Sequence, residues 1–189
     1  MKLKLLLSLS LIAALCGSCS DQPAANNTKT TAAKTPITLV ADSEVAVIEM
    51  ENPAYGTVKI ELYSIVAPKM VARFKELANE GVYNGTSFHR INQSVVQGGD
   101  PNSKDSDPKN DGMGSSNKPN VPAEFSDIPY DTAIVGAARG QDVNSANSQF
   151  FITLKREQGF DNRYTVFGKV IDGMNNVRTI SGVTPKDGE

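Results

Sequence analysis

Two short runs of this chain place an apolar residue at every second position, and that period constrains the fold more than any other feature. Ala46, Ile48 and Met50 form one run, and Val58, Ile60 and Leu62 form the other, between Thr57, Lys59 and Glu61. Successive strand side chains point to opposite faces, so each run predicts a half-buried β-strand. Asn52-Pro53-Ala54-Tyr55-Gly56 between them is turn chemistry, and the pair reads as a hairpin. The period then changes. Met70, Phe74, Leu77 and Ala78 recur at helical spacing, Pro68 suits the first turn and Gly81 the stop. Further short strands are expected over Ser87 to Ile91, Val95 to Gly98, Ala133 to Ala138, Phe150 to Leu154 and Thr165 to Ile171. A second helix is expected over Gly173 to Ile180. Asp100 to Pro122 is a long polar loop rich in Gly and Pro. Many short strands with few helices predict a mostly β chain, an antiparallel barrel or sandwich.

The N-terminus follows other rules. Lys2 and Lys4 precede an apolar run from Leu5 to Leu15, too short to cross a bilayer core of ~30 Å. This reads as an export signal. Both cysteines, Cys16 and Cys19, lie at its end, and Gly17-Ser18-Cys19 resembles a bacterial lipoprotein processing site. The expected organisation is a lipoprotein signal over 1–18, a flexible tether over 19–43 and a globular domain over 44–189. Cys19 would carry the lipid, anchoring the chain in a bacterial cell envelope with its domain in the periplasm. An ordinary secretory signal cleaved nearby is the alternative. The domain itself then holds no cysteine and no disulfide.

Charge and composition exclude other classes. A net charge of −2 gives no electrostatic basis for binding nucleic acid. His89 is the single histidine, so a multi-histidine metal site cannot be built, and no nucleophile motif accompanies it. Asp105 to Gly112 lacks the ligand spacing of a calcium loop, because Lys109 stands at a ligand position. Gln97-Gly98-Gly99-Asp100 lacks the Lys-Ser/Thr of a phosphate loop.

Four segments carry more information than the pattern: Phe88-His89-Arg90, Gln97-Gly98-Gly99-Asp100, Asn147-Ser148-Gln149-Phe150-Phe151-Ile152, and Phe160 to Val170. In this order and spacing they resemble the cyclophilins, peptidyl-prolyl cis/trans isomerases, from about Val45 to Ile180. The resemblance implies an antiparallel β-barrel capped by helices. It implies rotation of X-Pro bonds in folding polypeptides, with no cofactor and no metal. Arg90, Gln97, Gln149 and Phe151 are then the catalytic set. Val95, Ala138, Arg139, Phe160 and Tyr164 line the peptide groove, and His89 is structural.

The chain also departs from that family. Ser94 and Val95 fall where a Phe-Met pair normally walls the proline pocket, which implies lower activity or a shifted preference. Arg139 falls at an asparagine position and Tyr164 where many members have histidine. Gly159 replaces the tryptophan of cyclosporin-sensitive members, implying weak cyclosporin binding. The sequence stops at Glu189, before the family's closing strand; either it is truncated or another segment covers the open edge, and Pro36 to Val40 is expected to do so in part. A binding module with a degraded pocket is the alternative to an enzyme.

Overall fold

The computed structural model describes residues 1–7 and 39–182; Cys16, Cys19 and most of the expected tether lie outside them. Among the described residues, eight strands form one antiparallel sheet: β1 (Lys2–Leu7), β2 (Glu44–Glu49), β3 (Thr57–Leu62), β4 (Arg90–Ile91), β5 (Val95–Gly98), β6 (Ile134–Ala137), β7 (Phe150–Thr153) and β8 (Val166–Asp172). Their order across the sheet is β1-β2-β3-β8-β6-β7-β5-β4. The outermost strands β1 and β4 are not joined by a ladder, so the curled sheet is not closed by hydrogen bonds among the described residues. The described residues also form two α-helices, α1 (Pro68–Asn79) and α2 (Met174–Ser181).

Most expected elements are present, with shifted ends. The strand expected over Ser87 to Ile91 is only Arg90–Ile91. The long loop is not structureless: Pro101–Lys104 and Pro108–Asn110 are single 3-10 turns, opened by Asp100 and Asp107 side chains that accept from backbone amides. The edge of β2 has a partner that the sequence pattern did not indicate. Lys2–Leu7, read in the sequence as the start of an export signal, pairs with it from Lys2↔Glu49 to Leu7↔Glu44. Leu39 and Val40, expected at that edge, are exposed instead, and 36–38 lie outside the described residues.

Strand alternation builds two separate apolar clusters, and this division creates the site. Val96, Val135, Phe150 and Ile152 belong to the main core, where Phe74 of α1 meets Tyr83, Phe150 and Phe167 at 5.2–5.5 Å between ring centres. Their chain neighbours Val95, Ile134 and Phe151 point the other way, into a second cluster around Tyr130. One strand face thus stabilises the domain while the other remains available to a ligand.

The start of α1 lacks a cap of its own, because Ala67 has no side-chain acceptor. Glu124, from a distant loop, accepts from the Lys69 and Met70 amides at 3.1 and 2.9 Å. It satisfies two of the helix's free donors and places negative charge at the positive end of the dipole.

Lys75 of the same helix is fixed between Asp42 and Glu44, each at 2.6 Å. Asp42 also accepts from the Ser64 hydroxyl at 2.6 Å and the Ser64 amide at 3.0 Å. Burial raises the Asp42 carboxyl, but Lys75 and Ser64 outweigh it and hold its pKa below the ordinary value. A carboxyl lowered on folding stabilises the fold above its unfolded pKa of roughly 3.9, and that contribution is lost as pH falls through the folded pKa. Asp42→Asn is therefore expected to cost about 1–2 kcal/mol at pH 7. In thermal melts the gap between variant and parent should narrow as the pH falls below the unfolded pKa of roughly 3.9. A gap that stays constant from pH 7 to pH 2 would contradict this assignment.

Candidate active site

Adjacent strands supply the polar side of the site. Arg90 on β4 lies opposite Gln97 on β5, and Gln97 lies opposite Phe151 on β7. The register brings together three residues that are up to 61 positions apart in sequence. The Arg90 guanidinium donates to Gln97 Oε1 at 3.3 Å, and Gln97 Nε2 donates to Gln149 Oε1 at 2.9 Å. Gln149 Nε2 donates to the Gly112 and Gly114 carbonyls at 3.0 and 2.8 Å. Each amide accepts at its oxygen and donates at its nitrogen, so the chain has one consistent direction. The long loop anchors Gln149, Gln149 orients Gln97, and Gln97 steadies an otherwise exposed arginine.

The apolar side is an aromatic floor. Phe151 stacks on Tyr130 at 5.6 Å and 28°, and meets the edges of Phe160 and Tyr164 at 5.5 Å each. Gly136 lies directly across from Phe151 on β6. A Cβ there would stand 2.6 Å from the Tyr130 hydroxyl and closer still to the Phe151 ring. The absence of a side chain at Gly136 is therefore what lets the two rings stack.

Arg90, Gln97, Phe151, Phe160 and Tyr164 line a cleft of about 320 Å³. Every groove residue expected from the sequence lines it except Gln149, which lies in an adjoining cleft of about 120 Å³. Gln97, Ala138 and Arg139 line both and form the boundary between them. The Ala138 amide donates to the Gln149 carbonyl at 2.9 Å, tying the two clefts together. The Arg139 guanidinium sits 4.7 Å above the Tyr164 ring and donates to the Arg163 and Gly140 carbonyls at 3.0 and 2.9 Å. Arginine at this position thus braces the aromatic wall instead of simply replacing an amide. Phe160 reaches the pocket, its ring 5.1 Å from Tyr164.

His89 lines neither cleft. Burial pushes its pKa below the ordinary value, outweighing the nearby carboxylates of Asp100 and Asp111. Cys19 lies outside the described residues.

The sequence reading missed two residues that line the pocket, Asn92 and Glu157, and the buried Tyr130 on which Phe151 stacks. Asn92 Oδ1 accepts from the Ser94 and Val95 amides at 2.8 and 2.9 Å and shapes the tight turn between β4 and β5. The Ser94 hydroxyl donates to Glu157 Oε1 at 2.6 Å. The wall at Ser94 and Val95, already read as lacking a large apolar pair, is therefore a serine-carboxylate pair beside a valine. An Asn two residues before Ser is a local turn signal that could have found the first of these; the pairing with Glu157 has none.

Comparison with known proteins agrees with this geometry. The sequence profile described as cyclophilin type peptidyl-prolyl cis-trans isomerase/CLD matches residues 46–189. A Brucella suis protein described as a probable peptidyl-prolyl cis-trans isomerase is 45% identical over 130 residues, covering 66% of each chain. This chain thus spans just under two thirds of that relative's length. The human peptidyl-prolyl cis-trans isomerase-like 1 is 37% identical over 136 residues, 68% of this chain and 75% of its own. Among solved structures, a Cryptosporidium parvum cyclophilin type isomerase, crystallised in the presence of the dipeptide Ala-Pro, superposes with a TM-score of 0.63. It is 29% identical and covers 71% of this chain and 84% of its own. A cyclophilin from Hirschia baltica, 20% identical with a TM-score of 0.61, covers 77% of this chain and 69% of its own and shares the fold. The profile spans most of the chain, from β2 onward, and on that ground the chain belongs to the cyclophilin-type peptidyl-prolyl cis-trans isomerase family.

Proposed function

We propose that this chain accelerates cis/trans rotation of X-Pro bonds in polypeptide substrates. The observation that carries the reading is the convergence of a fixed guanidinium, Arg90, with a Phe151-floored apolar cleft. Rotation of the peptide bond faces a barrier of ~18–20 kcal/mol because amide resonance is lost. No covalent bond breaks, so the protein needs only to hold the ring and favour the twisted state. The aromatic floor takes the proline ring. The glutamine chain offers amide groups to the substrate backbone. Arg90 donates to the prolyl nitrogen, whose lone pair becomes available only as the bond twists. A donor that meets its acceptor only in the transition state lowers the barrier without tightening ground-state binding. The test is exchange of an X-Pro peptide with and without the protein, and unchanged exchange would overturn the reading.

A second reading has one observation in its favour. Ser94 and Glu157 place polar groups in the wall, so the cleft holds a proline ring less firmly than a fully apolar one. Such a cleft suits a module that binds Pro-containing segments without turnover. It predicts saturable peptide binding with no line-shape or exchange contribution from cis/trans rotation.

We further propose that the chain is an exported lipoprotein that folds clients at the cell envelope. The basic n-region, the short apolar run and Gly17-Ser18-Cys19 support this. Processing before Cys19 would remove β1 along with the signal and free the edge of β2. Cys19→Ser is expected to abolish incorporation of a labelled fatty acid in a bacterial host and to shift the chain from membrane to soluble fractions. Unchanged labelling would contradict the assignment.

A further inference from the structure

The pocket wall holds a charge that the isomerase reading does not use. Asn92, Ser94 and Glu157 line the main cleft but not the adjoining one, so they mark the end of the groove away from Gln149. Glu157 is half-buried there. Its carboxylate is positioned: Ser94 donates to Oε1 at 2.6 Å, and Lys155 reaches the same oxygen at 3.5 Å. Neither of these contacts engages Oε2, which leaves that atom for a donor from outside. The Lys155 side chain is 55% exposed, so its hold on Glu157 is screened and exchangeable. Ser94, opposing some desolvation and helped by Lys155, keeps the carboxyl below its ordinary pKa, and it is ionised at neutral pH. The remaining charges on the cleft, Arg90 and Arg139, are cationic. A substrate threading the groove thus meets positive charge beside the glutamines and negative charge beyond the aromatic floor.

We propose that Glu157, positioned by Ser94, selects X-Pro segments that carry lysine or arginine next to the proline and disfavours those that carry aspartate or glutamate there. This rests on the isomerase reading for the way a peptide occupies the groove. Lys and Arg are suited to the position because their long stems reach a carboxylate while the backbone stays in the groove. Opposite charge at a wall also speeds encounter and rejects like charge.

The test uses short X-Pro peptides with Lys, Ala or Glu at the position before the proline and, separately, after it. Dissociation constants come from NMR titration and catalysed exchange from the same samples, for the wild type, Glu157→Gln and Lys155→Ala. The wild type is expected to prefer the Lys peptide over the Glu peptide by roughly fivefold in one of the two positions. Glu157→Gln, which keeps the shape and the Ser94 hydrogen bond, should bring that ratio close to one. Lys155→Ala, which removes the competing ammonium, should raise it. The ratio should also shrink as salt is added. A ratio unchanged by Glu157→Gln in both positions overturns the proposal. Binding reports on selectivity even if exchange is not catalysed, so failure of the isomerase reading and failure of the charge selection give different results.

Discussion

Arg90→Ala is expected to lower kcat/KM for an X-Pro peptide by about a hundredfold or more, the usual effect of removing one donor aimed at charge that develops in a transition state. Stability should change by no more than about 0.5 kcal/mol, because the side chain is exposed and its bond to Gln97 is long, at 3.3 Å. Peptide affinity should fall much less than turnover, since the prolyl nitrogen is no acceptor while the bond is planar. Arg90→Lys keeps the charge but loses the planar fork, and should recover only part of the rate. Exchange spectroscopy and a titration on the same peptide separate these quantities. A rate within threefold of wild type would remove Arg90 from the mechanism. An equal loss of rate and affinity would make it a binding residue.

Phe151→Ala should be the most damaging single change to the site. Phe151 is 4% exposed and lies at the centre of the second cluster, in contact with Tyr130, Phe160 and Tyr164. Truncating a buried phenylalanine costs about 3–5 kcal/mol through lost burial and the cavity left behind. That is a large share of a typical domain stability of about 5–15 kcal/mol, so the variant should melt many degrees lower. Phe151→Leu separates floor from fold. It retains most of the volume and should cost less than about 1.5 kcal/mol, yet it removes the flat ring face. Its KM should rise well beyond that of the parent while the domain stays folded at 25 °C. A Leu variant with unchanged KM and rate would show that the proline ring binds elsewhere.

How far the sequence revealed the molecule depended on the range of each interaction. The hairpin of β2 and β3 and the buried face of α1 follow from spacings of two to four residues, and both stand where the pattern places them. The motif residues likewise converge, because the β4–β5–β7 register carries Arg90, Gln97 and Phe151 to one place. The misses are contacts between distant segments. Ser94 and Glu157 are 63 positions apart and neither is unusual in its local context. Glu124 capping α1 joins a carboxylate to amides 54 and 55 positions away. The partner of the β2 edge could not be read either, since the sequence holds apolar residues both in Lys2–Leu7, which pairs with that strand, and in 36–40. Gly136 shows the same limit: its lack of a side chain is visible in the sequence, but the ring it admits is not.

The central claim is that the Arg90 and Phe151 cleft catalyses rotation rather than merely holding proline. Its direct test is magnetisation exchange between the cis and trans signals of a short X-Pro peptide at catalytic protein concentration. Uncatalysed exchange takes tens to hundreds of seconds at 25 °C. The account predicts exchange cross-peaks on a subsecond timescale with the wild-type chain, lost on Arg90→Ala. Cis and trans signals that shift with bound protein but exchange no faster than the free peptide would contradict it.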